Sequence, residues 1–313
     1  MKRGLGALAR GVRRTVWVTL PAITACGHFP TDGSECGPVG PSIALPGSLI
    51  ETSGVAVGIR RPGLIWTHND GDRRPFLYMV DGEGRVQARL EVDQSINDWE
   101  DIARGRCDLG ACLYLADTGD NDERRGIISL YQLAEPEGSG DGKVDAERYR
   151  MALPDGPRDI EAMYVPPTEQ IFFVTKGRNH PVTIYRYPPP LRSEDVVTLV
   201  EVHRLTTGPV GRPRMVTGAS ATLDGGTVAI RTYETLEFFT VTGGERLLES
   251  DLGRVDLRAL REAQGEGVGF GANGTIVLTS ESAPGIRPSL TFLNCNLNPT
   301  ALDQPEPTQG PPA

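Results

Sequence analysis

Several things are scarce in this sequence, and each scarcity removes a class of function. Histidine is rare, at four residues, which argues against a zinc or copper centre built on imidazoles. A basic excess is missing. Thirty-two Lys and Arg stand against 41 Asp and Glu, a formal net charge of −9, so no nucleic-acid partner is expected. No apolar run approaches the roughly 18 residues that a spanning helix needs. GxSxG is absent, which excludes the nucleophile elbow of α/β-hydrolases. Walker A and HExxH are absent too. Helical periodicity is scarce: Asp256 to Gln264 alone predicts a short amphipathic helix.

What remains is a chain of 313 residues, 38% hydrophobic and 23% charged, enough to bury a core. Gly (38) and Pro (25) together make about a fifth of it. Helices tolerate that composition poorly, whereas many short strands joined by turns tolerate it well.

Residues 1–26 read as an export signal. Lys2, Arg3, Arg10, Arg13 and Arg14 precede a short apolar stretch, Thr15 to Ala25. It ends in Ile23-Thr24-Ala25-Cys26, which resembles a bacterial lipobox and predicts lipidation of Cys26. The alternative is an ordinary cleaved signal. The expected address is extracytoplasmic, with the lipid anchored in the envelope at the outer membrane or cell surface. Gly27 after the cysteine resembles outer-membrane sorting. Residues 27–41 read as a flexible tether, 42–298 as the folded domain and 299–313 as a disordered Pro-rich tail. Removing Cys26 leaves Cys36, Cys107, Cys112 and Cys295, an even number in an exported chain. Of three pairings, Cys107 with Cys112 across a hairpin turn and Cys36 with Cys295 across the whole domain are expected. A four-cysteine zinc site is the rival.

Internal repetition is the strongest signal. Five segments share a plan of short strands separated by turns. First strands begin near Ser53, Glu100, Glu161, Thr217 and Glu266, at spacings of 47, 61, 56 and 49 residues. Second strands include LIWTHND, CLYLADTGDN, IFFVTK, TVAIRTY and TIVLTSE. Units of this size predict an all-β chain: a β-propeller of four-stranded blades, five in number, with six as the alternative. The last unit lacks a fourth strand, and SIALPGSL (42–49) is expected to supply it and close the ring. An irregular β-sandwich is the competing architecture.

In a propeller, the starts of first strands and the ends of second strands converge on one mouth of the central channel. The entry column reads Ser53, Glu100, Glu161, Thr217, Glu266, and two residues earlier Glu51, Asp98, Asp159, Met215, Gln264. A spacing of two keeps side chains on one side of a strand. Clustered carboxylates need positive balance, and a hard cation with oxygen ligands supplies it. The expected calcium ligands are Glu51, Glu100, Glu161 and Glu266. Glu100 and Asp117 are candidate catalytic groups, and Asn69, Asp70, Lys176, Arg231 and Tyr233 are candidate substrate contacts. His68 is the one histidine placed in the funnel. The bland alternative is that these acids bind loop N–H groups and hold blades together. The loop DTGDNDER (117–124) fails the EF-hand pattern, because its Gly is misplaced and no Glu stands at the twelfth position.

The series ETSGVAV, LIWTHNDGD, NDWEDIA, LYLADTGDN, RDIEAMYV, MVTGASATLDGGTVAIRTY and GEGVGF resembles a largely uncharacterised group of exported bacterial propeller lipoproteins. More distantly it is similar to the esterase-like phytase, SdiA-regulated and gluconolactonase-like propellers. The close group implies a propeller, export and no assigned reaction. The enzyme-bearing relatives imply a divalent metal ringed by carboxylates, at Glu51, Glu100, Glu161 and Glu266 by position. Thr217 and Ser53 depart from that acidic pattern. The expected functions are a tethered ligand- or partner-binding module, a metal-dependent hydrolase of phosphoesters or lactones, or a structural envelope protein. Its expected partners are the membrane, through the lipid, and a small-molecule or protein ligand; a monomer is expected.

Overall fold

The computed structural model describes residues 31–32, 35–71, 74–167, 170–242 and 247–297. The signal, Cys26 and the residues after Leu297 lie outside them. Three short N-terminal strands, β1 (Thr31–Asp32), β2 (Glu35–Pro38) and β3 (Ile43–Ala44), precede five antiparallel blades. Blade I holds β4 (Thr52–Val57), β5 (Leu64–Asn69), β6 (Phe76–Asp81) and β7 (Val86–Val92). Blade II holds β8 (Trp99–Cys107), β9 (Gly110–Asp117), β10 (Ile128–Ala134) and β12 (Glu147–Ala152); on the way, β11 (Gly142–Val144) pairs back in parallel on β7. Blade III holds β13 (Ile160–Tyr164), β14 (Ile171–Thr175), β15 (Thr183–Tyr187) and β17 (Val200–Arg204), while β16 (Val196–Thr198) pairs back on β12. Blade IV holds β18 (Val216–Ala221), β19 (Thr227–Thr232), β20 (Thr235–Thr242) and β21 (Leu247–Asp256), with β1 on its outer edge. Blade V holds β22 (Gln264–Phe270), β23 (Thr275–Glu281) and β24 (Ser289–Asn296).

The chain is thus a five-bladed propeller. Each inner strand packs on the next, β4 on β8, β8 on β13, β13 on β18, β18 on β22, and β22 back on β4. No single core exists. Five apolar clusters fill the wedges between consecutive blades, for example Trp66, Met79, Leu115 and Tyr131 between blades I and II. Between blades II and III lie Tyr114, Met163, Phe173 and Tyr185. Radial repetition buries both faces of each sheet in this way, so strands read as continuous apolar runs.

Ring closure differs in detail from expectation. The fourth strand of blade V is β2, within the stretch read as a tether, paired with β24 at Cys36↔Cys295. Residues 43–44 add only a short second pairing to β24. The Cys36–Cys295 and Cys107–Cys112 disulfides are both formed. A bond closing a loop this long acts mainly on the unfolded chain, by about 5 kcal/mol in the loop-entropy view. The helix expected over 256–264 is a single 3-10 turn, Arg258–Leu260. Asp256 still belongs to β21 and accepts the Arg258 N–H at 2.9 Å, and Arg261 ends the turn at φ 54°. Among the described residues, no helix is long and apolar enough to cross a membrane.

One backbone device recurs in all five blades. The inner strand carries one extra residue against its neighbour, between Thr52 and Val55, Trp99 and Asp101, Ile160 and Ala162, Val216 and Gly218, and Gly265 and Val268. These β-bulges fall on the repeated column of Ser53, Glu100, Glu161, Thr217 and Glu266. A bulge re-aims a side chain out of the strict alternation of a strand. Close approach of the inner strands also demands glycine: a Cβ on Gly54 would lie 2.5 Å from the Ile102 nitrogen.

Candidate metal centre

The two non-acidic members of the column are blade ties. Ser53 Oγ donates to the Glu100 carbonyl at 2.7 Å, and Thr217 Oγ1 donates to the Glu266 carbonyl at 3.0 Å. Each holds the backbone of the acidic residue that begins the next blade. Thr118 does the same for Ile160, and Thr279 for Ser53. The departures from acidity therefore have a structural cause.

The three glutamates that remain are all buried. Ligand atoms of Asp70, Asp98 and Glu100 lie within 4.8 Å of one another, as do those of Glu100, Asp159 and Glu161. Glu100 belongs to both triads. Asp98 and Asp159 reach the cluster from two residues before the bulge. Asp70 comes from the end of β5, its N–H held by the Glu51 carbonyl at 2.8 Å. All five side chains of the two triads are carboxylates, a donor set suited to a hard cation.

The electrostatics are those of a crowded acidic site. Burial, then Asp98, pushes the Asp70 carboxyl up to about 8. Burial, then Glu161 and Asp70, raises Glu100 well above the ordinary carboxylate range. Burial and then Glu281 bring Glu266 up to about 7, and burial and then Glu51 bring Glu281 to about 7. Positive balance is partial. Lys176 Nζ pairs with Glu161 and stands 3.8 Å from Asp159. Burial opposes its charge, but those two carboxylates hold its ammonium above the usual lysine range. Arg178 stands 3.8 Å from Asp159. Asp159 Oδ1 accepts the Asp120 N–H at 2.9 Å, while its buried Oδ2 has no hydrogen-bond partner. No hydrogen-bond donor reaches the Glu100 carboxylate among the described residues.

Gly119 covers this cluster. A Cβ there would fall 2.0 Å from Glu100 Oε1 and 2.5 Å from Asp98 Oδ2. The DTGDNDER loop that carries it is wound round Arg125, which donates to the Gly119 carbonyl at 2.5 Å and to Asp117 Oδ1 at 2.9 Å.

Other expected site residues are placed differently. Glu51 is exposed and Glu266 is buried, and both stand outside the two triads. Asp117 is wholly buried and takes the N–H groups of Asn97 and Asp98 as well as Arg125. Its carboxylate is committed to shaping the 97–98 loop, which leaves it unsuited to act as a base. Arg231 is also wholly buried. It donates to the Gly267 and Thr279 carbonyls at 2.7 and 2.9 Å and pairs with Glu262. It joins blades IV and V rather than facing a ligand. His68 is fully buried and packed edge-on against Trp99 at 5.7 Å, with burial lowering its pKa to about 4. Asn69 spends its amide on the Ser48 carbonyl at 2.8 Å. Tyr233 is half-buried, with the Arg212 guanidinium 5.1 Å from its ring centre. Sequence reading passed over Glu262 as the partner of Arg231 and Gly119 as the cover. Asp98 and Asp159 were visible as the column two residues upstream.

No protein-family model matches the chain, and no curated protein matches it in sequence. Solved structures do match in shape. The PQQ-bound aldose sugar dehydrogenase of Streptomyces coelicolor superposes with a TM-score of 0.53 at 12% identity, covering 86% of this chain and 100% of that one. A Xanthomonas campestris gluconolactonase gives 0.43 at 14%, covering 88% and 99%. A Staphylococcus aureus virginiamycin B lyase gives 0.42 at 11%, covering 83% and 99%. At such identities the dehydrogenase speaks for the propeller fold alone, since one fold hosts many chemistries.

Proposed function

We propose that this protein is a divalent-cation-dependent hydrolase of phosphoesters or lactones, acting at the acidic end of its inner strands. The observation that carries this reading is Glu100, a buried carboxylate without a donor, shared by two carboxylate triads. Asp159 Oδ2, buried without a hydrogen bond and with its two cations no nearer than 3.8 Å, supports the same place. Asp70, Asp98, Glu100 and Asp159 would hold the cation, and calcium is the first ion to try. Bound there, the ion supplies polarisation of a phosphoryl or acyl oxygen and activation of water. The chain's own residues do the rest. Glu266, with its carboxyl near 7, takes and returns a proton at neutral pH. Lys176 and Tyr233 stabilise negative charge that develops on the substrate.

The same reading keeps the protein outside the cytoplasm as a lipid-anchored monomer, tethered through Cys26 and without a nucleic-acid partner. Two disulfides in a chain of this charge support an oxidising compartment.

The test is a titration of chelator-treated protein with Ca²⁺, Mg²⁺ and Mn²⁺ by calorimetry, followed by turnover of an aryl phosphate and a simple lactone. One saturable cation site is expected, with turnover that E100Q and D159N abolish. No heat with any cation, or turnover untouched by both variants, would overturn the reading. Cation binding without turnover would favour a ligand-binding module instead.

A further inference from the structure

Beside the carboxylates, on the blade IV–V side, a cavity of about 350 Å³ is lined by Arg212, Tyr233, Arg258, Arg261, Glu262 and Gln264, among others. Its charge is opposite to that of the triads. Arg258 is neutralised by Asp256, and Glu262 by the buried Arg231. Arg212 and Arg261 remain, against Glu234. Arg212 lies over the Tyr233 ring at 5.1 Å and donates to Gln264 Oε1 at 3.2 Å. Gln264 stands two residues before Glu266 on β22, so the cavity adjoins Glu266 along one strand. Arg261 is exposed, and no side-chain partner holds it among the described residues. Its backbone nevertheless sits at φ 54°, in the left-handed region where glycine is preferred. A long cationic side chain kept at such a position, facing a cavity, argues that the side chain is used. The lining adds unfilled polar capacity: Glu262 Oε1 is buried without a hydrogen-bond partner.

We propose that this cavity is an oxoanion subsite, in which Arg212 and Arg261 bind a phosphate or carboxylate group of the substrate while its scissile bond lies at the carboxylates. Arg212 is braced by the Tyr233 ring and Gln264, so one of the two guanidinium groups is preorganised. A guanidinium fork matches either oxoanion in a bidentate fashion. The Glu262 oxygen then accepts from a hydroxyl of the same molecule. The substrate class is therefore an anionic, hydroxylated ester rather than a neutral one. This identity of the ligand as substrate rests on the hydrolase reading, whereas the subsite itself does not need the cation.

The experiment titrates chelator-treated, folded protein with inorganic phosphate and, separately, with malonate, following heat and the amide spectrum. Saturable binding of one equivalent is expected, weakened at least tenfold in R212Q and in R261G and unchanged in R89A on blade I. R261G should melt at the same or a higher temperature, because glycine suits that backbone, so its loss of binding is not loss of fold. Tighter phosphate than malonate assigns a phosphorylated substrate, and the reverse assigns a carboxylate. No saturable binding of either anion, or wild-type affinity in both variants, overturns the subsite. Calcium heats measured on the same samples separate the two ideas. Retained cation binding with no anion binding sinks only the subsite, and the converse sinks only the cation site.

Discussion

Glu100 and Asp101 are consecutive, buried and acidic, yet they belong to two different regions of the molecule. Asp101 lies where the inner strands meet. It accepts the N–H groups of Ile102 and Met163 at 2.8 Å and of Ala219 at 3.3 Å, so one carboxylate ties blades II, III and IV together. Glu100, set on the bulge, has carboxylates for neighbours and no donor. Burial raises both carboxyl groups, but only at Asp101 do three backbone donors pull the other way. A buried anion with its full set of donors is part of the frame. A buried carboxyl without them is costly to ionise.

The comparison is breakable, and the largest effect belongs to the frame. D101A strands three buried N–H groups and should cost about 4 kcal/mol in urea unfolding. E100Q, one residue away, should carry the opposite sign in metal-free protein, a gain of about 1 kcal/mol from relieved repulsion, while calorimetric cation affinity falls more than tenfold. If both variants lose stability equally, the distinction between frame and site fails.

A pH series sharpens it further. Asp70, near 8, and Glu266 and Glu281, near 7, bind protons more tightly in the folded than in the unfolded chain. The folded state then holds more protons between about pH 4 and 8, so stability must fall as pH rises through that window. Metal-free melting temperature is expected to drop across it, and saturating calcium to flatten the drop, because the cation replaces the protons.

Smaller effects test the surroundings. G119A should displace the Glu100 and Asp98 carboxylates and weaken cation binding severalfold, at a stability cost of about 1–2 kcal/mol. T217V removes one tie to the Glu266 carbonyl and should cost about 1 kcal/mol with cation affinity intact.

Much of this was readable without coordinates. The repeats predicted the first and second strands of all five units in their order, whereas β11, β12 and β21 were not anticipated, and the four cysteines left after Cys26 led to the two disulfides that formed. Less was readable at the site. Glu100 and Glu161 were found by column alignment, but Glu266 in the same column and Glu51 in the column two residues earlier stand outside the triads. Asp117 and Arg231 looked like free functional groups because their partners, the 97–98 backbone, Arg125 and Glu262, are either irregular loop or distant in sequence. His68 looked like a mouth residue because strand ends cannot be located to one residue from pattern.

Local chemistry alone determined that this chain makes short strands in five similar units, since apolar periodicity and turn residues act over a few positions. Only the closed ring decided which acids meet. Each bulge is defined by pairing with a neighbouring strand, and each triad joins carboxylates of two blades, 28 to 61 residues apart in the chain. The reason is that backbone register and burial are properties of the packed whole, and a charge acquires its cost, its partner and its use only there.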